Sequence, residues 1–223
     1  MLEAVLLDVD GTLVDSNDAH AQAWVQVLAE FGHPVLFEQV RRLIGMGGDK
    51  LLPAVVAIPE DSDEGRRISE RRREIFLTRY LPTVRPFSHA RDLLARMRAE
   101  GLRLVVASSA KAEELQPLLR IAGADDLVEA ATSSDDAARS KPDPDTVVAA
   151  LNRAGAAPDA VLMLGDTPYD VEAATSAGVG IVALRCGGWD DEALHGALEV
   201  YDDPADLLAH YDTSAFARHR SSR

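Results

Sequence analysis

The chain has 223 residues, with 23 Lys+Arg against 37 Asp+Glu, a net charge of −14 with histidine neutral, and 47% hydrophobic residues. So acidic a chain lacks the cationic face that displaces counterions from a polyanion, and at 5% aromatics it lacks the stacking platforms of single-strand binders, so nucleic acid is not an expected partner. The apolar fraction suffices for a sizeable core, in one large domain or a domain carrying an insertion, and no run approaches the roughly 18 uncharged apolar residues of a membrane span.

The N-terminal stretch MLEAVLLDVD has neither the cationic start nor the small-residue cleavage site of a signal peptide, so a cytoplasmic protein is expected. Its apolar run, Leu2 to Leu7, is too short for a helix before Gly11 and predicts a buried strand over about 3–8. Helical patterns then follow one another with no strand between them, over 17–31, 49–57 and 63–80, separated by Gly-His-Pro, Gly-Met-Gly-Gly and Pro-Glu-Asp. This predicts an all-helical insertion, residues 15–85, entered at Val14-Asp15-Ser16 and left at Leu81-Pro82 and Arg85-Pro86. The insertion is nearly neutral, with 10 Lys+Arg and 11 Asp+Glu, so a charge of −13 falls on residues 1–14 and 86–223. Within it, Arg71-Arg72-Arg73 reads as a solvated helix face paired with Glu70 and Glu74, and Trp24 as a packing residue.

Beyond residue 85 helix and strand alternate. Residues 88–100 carry Ala90, Leu93, Leu94 and Met97 on one face and stop at Gly101; a strand follows over 102–107. Helices over 142–154 and 168–177, each opened by a proline, precede strands over 160–164 and 180–184. Alternation of this kind predicts an α/β fold, a parallel sheet with helices on both faces. Cys186, the one cysteine, is expected to be a packed small hydrophobe, Trp189 to be packed likewise, and Phe216–Arg223 to be a frayed polar tail.

Ligands of open parallel sheets bind beyond the carboxyl ends of the strands. The first strand delivers Asp8 and Asp10 with Gly11-Thr12 to that edge, and the strand ending at Ala107 delivers Ser108 and Ser109. The strand ending at Leu164 delivers Gly165-Asp166 with Asp170 four residues on, and Lys141-Pro-Asp-Pro opens another helix. Asp and Ser at strand ends commonly do no more than cap helices and turns. Capping does not account for several carboxylates, hydroxyls and a lysine meeting at one edge. Carboxylates so gathered repel one another unless a cation lies among them, and all-oxygen donors suit Mg²⁺. Only Lys50, Lys111 and Lys141 are lysines against 20 arginines, which makes a lysine at this edge more informative.

Asp8-Val-Asp10-Gly-Thr-Leu-Val-Asp-Ser, Ser108 after an apolar strand, Lys141-Pro-Asp-Pro and Gly-Asp166-Thr-Pro-Tyr-Asp170 together resemble, in order, the four motifs of the haloacid dehalogenase superfamily. The resemblance covers nearly the whole chain and includes a helical cap after the first motif, as in the subfamily of phosphoglycolate phosphatase and β-phosphoglucomutase. It implies a Rossmann-like core of residues 1–14 and 86–223 with a cap of residues 15–85. It also implies a Mg²⁺-dependent phosphatase acting on a small phosphorylated metabolite. Asp8 would attack phosphorus, and Asp10 would protonate the leaving group and later deprotonate water. Mg²⁺ would lie among Asp8, the Asp10 backbone carbonyl, Asp166 and Asp170, the last binding directly or through water. Ser108 and Lys141, with Thr12, Ser109 and His20, would meet the phosphate or substrate.

With Asp10 present, halide displacement and C–P cleavage are not the expected chemistries of such a chain. Phosphatase and phosphomutase both remain open. His20 falls where the mutase has a hinge histidine that reaches Asp10 on closure, though it equally suits a hinge histidine with no proton role. Gly45-Met-Gly-Gly-Asp-Lys50 lacks the arginine with which the mutase holds a second phosphate, a role Arg41, Arg42 or Lys50 would have to fill. A non-catalytic binding module on the same fold is a third reading. The Gly45–Gly48 cluster reads as a flexible interhelical segment facing the site from the cap, with substrate choice expected in loops near Arg41–Lys50. A monomer is expected, a dimer being the alternative.

Overall fold

Ala4–Leu7 is buried at all four positions, as a strand covered on both faces must be, and forms β1. The computed structural model describes residues 1–133 and 137–221, the side chains of 219–221 excepted. Five further strands join β1: β4 (Arg103–Ala107), β5 (Ala130–Thr132), β6 (Val161–Gly165), β7 (Gly180–Leu184) and β8 (Glu199–Tyr201). The order is β5-β4-β1-β6-β7-β8, and every pairing is parallel. The chain runs outward from β1 to one edge, then returns to β6 on the other side of β1. The crevice beyond the carboxyl end of β1 is therefore the switch point at which such sheets bind ligands. Apolar runs predict four of these strands; β5 and β8 are only three residues long, half-buried and at the two edges, and carry no such run.

The period-two alternation of β1 sorts the core into two layers. Val5 and Leu7 face one layer, built with Leu93, Met97, Leu118 and Phe216; Ala4 and Leu6 face the other, with Val147, Leu151, Val171 and Ala174. These come from α5 (Ala90–Ala99), α6 (Ala112–Ala122), α7 (Asp145–Ala154), α8 (Pro168–Ser176) and α10 (Ala215–Ser221), while α9 (Pro204–Ala209) covers the β8 edge. Each large apolar side chain so buried is worth about 1.5–3 kcal/mol against exposure. The C-terminal segment differs from its sequence-based expectation: Phe216 is fully buried and opens a helix in place of a frayed tail, and residues 222–223 lie outside the described residues. No helix among the described residues is long and apolar enough to cross a membrane.

The helical cap is entered and left through a two-stranded antiparallel ribbon, β2 (Val14–Asp15) with β3 (Arg85–Pro86), in which Val14 pairs with Pro86 and Asp15 with Arg85. Between them lie α1 (Asn17–Glu30), α2 (Phe37–Arg41), α3 (Gly48–Val56) and α4 (Asp63–Ile75). Ser62 caps α4 by accepting a hydrogen bond from the Gly65 amide, and the helix carries Asp63 and Glu64 in its first turn and Arg72 and Arg73 in its last, in accord with its dipole. The sequence predicts one helix through Tyr80. Instead α4 gives way to a wider, π-helical turn over Phe76–Tyr80 that buries Phe76. The five-residue α2 is also absent from the sequence-based reading; it has too few residues to show a period.

Candidate active site

Parallel pairing carries the ends of β1, β4 and β6 to one edge. The Asp8 amide donates to the Leu164 carbonyl at 2.9 Å, so the first residue past β1 is still held in the sheet while its side chain reaches the crevice. The Lys141 ammonium, 1% exposed, lies 2.5 Å from Asp8 Oδ1 and 2.7 Å from Asp170 Oδ1. Asp170 is fixed by the start of α8: Thr167 caps the helix by accepting from the Asp170 amide at 3.1 Å, and Asp170 Oδ2 accepts from the Thr167 amide at 3.0 Å and its hydroxyl at 2.7 Å. This capping box, with Pro168 in the first turn, is why Thr-Pro-Tyr-Asp both begins a helix and aims a carboxylate.

Asp8, Asp166 and Asp170 are all buried, and one carboxylate oxygen of each lies within 4.8 Å of the others. Thr12 Oγ1 donates to Asp166 Oδ1 at 2.8 Å and Asn17 Nδ2 to Oδ2 at 3.0 Å. The backbone closes tightly around that carboxylate: a Cβ on Gly187 would fall 1.8 Å from Asp166 Oδ2, and one on Gly11, which has φ of +76°, 2.2 Å from it. Burial pushes the Asp8 carboxyl up to about 7; Lys141 opposes this, while the charges of Asp170 and Asp10 add to it. Burial raises Asp166 well above the carboxylate range, with Asp8 and Asp170 adding to it. Burial acts against the Lys141 ammonium, but Asp170 and Asp8 more than reverse it and hold the group charged, above its ordinary value.

The Asp10 carboxyl turns away from this cluster toward the cap. Its Oδ1 accepts from Ser16 Oγ at 2.5 Å and from His20 Nε2 at 2.7 Å. Burial acts to raise it, but His20, Ser16 and the Arg72 charge outweigh burial and leave it below its ordinary value. An Arg72 N–H donates to His20 Nδ1, which leaves the ring proton on Nε2, facing Asp10. The imidazole stacks on Phe76, centroids 3.9 Å apart, and the Arg72 guanidinium lies over both Phe76 and Trp24. Arg72 NH1 reaches both oxygens of Glu114, on core helix α6, at 2.6 and 2.7 Å. The expectation of a solvated Arg71–Arg73 face therefore holds for Arg71, which pairs with Glu30 and Glu74, and fails for Arg72.

A cavity of about 280 Å³ lies between cap and sheet edge, lined by Asp8, Asp10, Ser108, Ser109, the 44–49 loop, Glu60 and the Arg72–Glu114 pair. Ser108 is 1% exposed and its Oγ accepts from the Ala110 amide at 3.0 Å; Ser109 Oγ is buried without a hydrogen-bond partner among the described residues. Thr12, expected at the phosphate, is fully buried and spends its hydroxyl on Asp166. Two of the cap cations expected to select substrate are engaged elsewhere, Arg41 with Asp18 and the Gly187 carbonyl, each at 2.6 Å, and Lys50 with Asp143, while Arg42 is exposed. The Gly47 amide donates to Ser140 Oγ at 3.0 Å, and Tyr169 Oη to the Arg42 carbonyl at 2.6 Å. The 41–50 segment is thus fastened to the core, in contrast to the flexible segment its glycines predict.

A family model described as haloacid dehalogenase-like hydrolase matches residues 5–184. The chain is a haloacid dehalogenase-like hydrolase. It is 33% identical over 216 residues to a phosphoglycolate phosphatase of Rhodospirillum rubrum, covering 93% of this chain and 90% of that protein. It is 31% identical over 215 residues to an N-acetylmuramic acid 6-phosphate phosphatase of Pseudomonas aeruginosa, covering 93% of each. Among solved structures, a hydrolase from Pseudomonas syringae superposes with a TM-score of 0.88 at 32% identity, covering 96% of this chain and 99% of that one.

The donor set of this hydrolase fits a hard divalent cation. Three buried carboxylates face one ammonium, and burial with their mutual repulsion pushes two of them up, a cost that a cation among them would remove. Sequence reasoning missed Asn17, Arg72 and Glu114. For Arg72 a signal exists, since Ile68, Arg72 and Phe76 follow at four-residue spacing and set the arginine on the apolar face of its helix. Glu114 stands four residues before buried Leu118 in the same way. Asn17 has no local signal, because its partner Asp166 is 149 residues away.

Proposed function

We propose that this hydrolase is a Mg²⁺-dependent phosphatase that cleaves a small phosphomonoester through an aspartyl-phosphate on Asp8. The observation that carries this reading is Asp8 itself, facing the cavity with the Lys141 ammonium at 2.5 Å and Asp10 two residues on. Mg²⁺ held by Asp8, Asp166, Asp170 and the Asp10 backbone carbonyl would supply charge neutralisation at the phosphoryl oxygens.

Asp8 attacks phosphorus, forming an O–P bond as the ester O–P bond breaks, and the departing oxygen takes a proton from Asp10. Asp10 Oδ1 is occupied by Ser16 and His20, which leaves Oδ2 to carry that proton. The negative charge of the incoming phosphoryl group raises the proton affinity of Asp10, offsetting its depressed resting value. Water then attacks phosphorus, Asp10 receives its proton, and inorganic phosphate leaves with Asp8 restored. Lys141 stabilises the anionic Asp8 before and after, and Ser108, whose oxygen accepts from the Ala110 amide, donates its hydroxyl proton to a phosphoryl oxygen. Closure of the cap by contacts such as Arg72–Glu114 excludes bulk water during the first step.

The test is Mg²⁺-dependent release of inorganic phosphate from p-nitrophenyl phosphate by the wild type and its absence in Asp8→Asn. No release from this ester or from a panel of phosphomonoesters would overturn the reading. The His20–Asp10 contact also suits a phosphomutase of the β-phosphoglucomutase type, which would show bisphosphate-primed interconversion of hexose phosphates, abolished by His20→Ala. Against it, two of the three cap cations that would grip a second phosphate, Arg41 and Lys50, are held by Asp18, the Gly187 carbonyl and Asp143.

A further inference from the structure

The wall of the cavity beyond Asp8 and Asp10 has a charge inventory that bears on the leaving group. Its cations are Arg72, Arg73 and Lys111. Arg72 is gripped by both oxygens of Glu114, and Arg73 lies 3.2 Å from Glu113. Lys111 has no carboxylate partner among the described residues, but it is exposed, where a lone ammonium counts for little. The carboxylate of Glu60, half-buried in the same wall, has no cation against it among the described residues; Ser69 Oγ donates to Oε1 at 3.0 Å and leaves acceptor capacity on the group. Asp49, also in the wall, accepts from the Ser140 amide and hydroxyl and is likewise unpaired with any cation among the described residues. Two buried polar atoms of lining residues, Ser109 Oγ and Arg72 Nε, have no hydrogen-bond partner among the described residues. The compartment therefore presents spare acceptors, an unused hydroxyl on Ser109 and an unused N–H on Arg72, with its two arginines already facing Glu114 and Glu113.

We infer that the leaving group taken by this site is an uncharged, hydroxyl-bearing alcohol that donates to Glu60, and that Glu60 discriminates against substrates carrying a second anionic group. The inference rests on the phosphatase reading and goes beyond it, since it disfavours phosphoglycolate itself. A carboxylate brought against Glu60 and Asp49 meets like charge without a free buried cation, whereas a hydroxyl satisfies the carboxylate and the unpartnered atoms.

Two isosteric pairs test this with Mg²⁺ present: 2-hydroxyethyl phosphate against phosphoglycolate, and glycerol 3-phosphate against 3-phosphoglycerate, with p-nitrophenyl phosphate as the turnover control. The expected result is a kcat/KM roughly tenfold or more higher for the hydroxyl member of each pair, and a ratio that falls several-fold in Glu60→Gln, which keeps shape and acceptor oxygen but removes the charge. The ratio is the readout because a merely structural loss would lower both members alike. Equal or better turnover of the carboxylate members, or a ratio unmoved by Glu60→Gln, overturns the inference. If p-nitrophenyl phosphate and all four esters are inert, the phosphatase reading falls instead. Calorimetric affinities of the same pairs for Asp8→Asn then decide the preference: tighter binding of the hydroxyl members upholds it, and equal or weaker binding overturns it.

Discussion

Arg72 of the cap grips Glu114 of the core through both carboxylate oxygens, at 2.6 and 2.7 Å, while another N–H of the same guanidinium contacts His20. One side chain thus joins the closing contact between cap and core to the histidine that orients Asp10. Both side chains are largely buried, 12% and 4% exposed, so truncating one partner while the cap stays shut would cost about 3–5 kcal/mol. Opening lets the orphaned carboxylate reach water at less cost. Arg72→Met is therefore expected to favour the open cap, raising KM for p-nitrophenyl phosphate about tenfold and increasing the radius of gyration in solution scattering. Unchanged KM and scattering would show that the pair does not hold the cap.

Asp10 is expected to matter in proportion to how badly the leaving group needs a proton. Asp10→Asn should slow hydrolysis of an alkyl phosphate by about 10²–10⁴, the range of general acid–base catalysis, and that of p-nitrophenyl phosphate by less. Equal losses on the two esters in single-turnover measurements would place the residue outside proton transfer.

Lys141 is the one side chain bridging Asp8 and Asp170 by charge among the described residues. Lys141→Met leaves two buried carboxylates uncompensated and is expected to lower the free energy of unfolding in urea by about 3–5 kcal/mol without Mg²⁺. Added Mg²⁺ should recover part of that loss in the variant. A variant as stable as wild type would show that the ammonium does not stabilise the cluster.

Stability toward acid should have a component from Glu199. Burial acts to raise its carboxyl, but the Ala215 amide at 2.8 Å, Arg218 and Tyr201 outweigh it and hold the group below its ordinary value. A depressed folded value contributes stability that is full above the unfolded value and is lost as pH falls through the folded one. Glu199→Gln should accordingly be less stable than wild type at pH 7, and the difference should vanish as pH falls below the ordinary glutamate range. A difference independent of pH, followed by urea unfolding, would assign the effect to packing.

Much of this molecule is legible in one dimension. Asp8, Asp10, Asp166 and Asp170 are placed by strand ends and short spacing, because in a parallel sheet the residue after each strand must arrive at the same edge. The capping box of Thr167 and Asp170 is equally local. What escapes is what depends on distant pairing. Thr12 points to a phosphate in sequence and to Asp166 in space, and Arg41 and Lys50 read as free cap cations until their core partners appear. Arg72 is hidden by its company: three successive arginines suggest solvent, although only one side of a helix faces it. The short edge strands β5 and β8 have neither the length nor the apolar run to announce themselves.

The ribbon formed by Val14–Asp15 and Arg85–Pro86 holds together the two ends of the segment that carries the cap. To the sheet, everything between those ends amounts to one closed loop, and the entropy of closing a loop grows only with the logarithm of its length. The helices beyond the first turn of α1, which holds Asn17 against Asp166 and His20 against Asp10, can lengthen or shorten at little entropic cost to the strands that aim Asp8 and Asp166. Choice of leaving group can accordingly diverge in the outer cap while the chain enters and leaves it through the same ribbon, two residues long on each side.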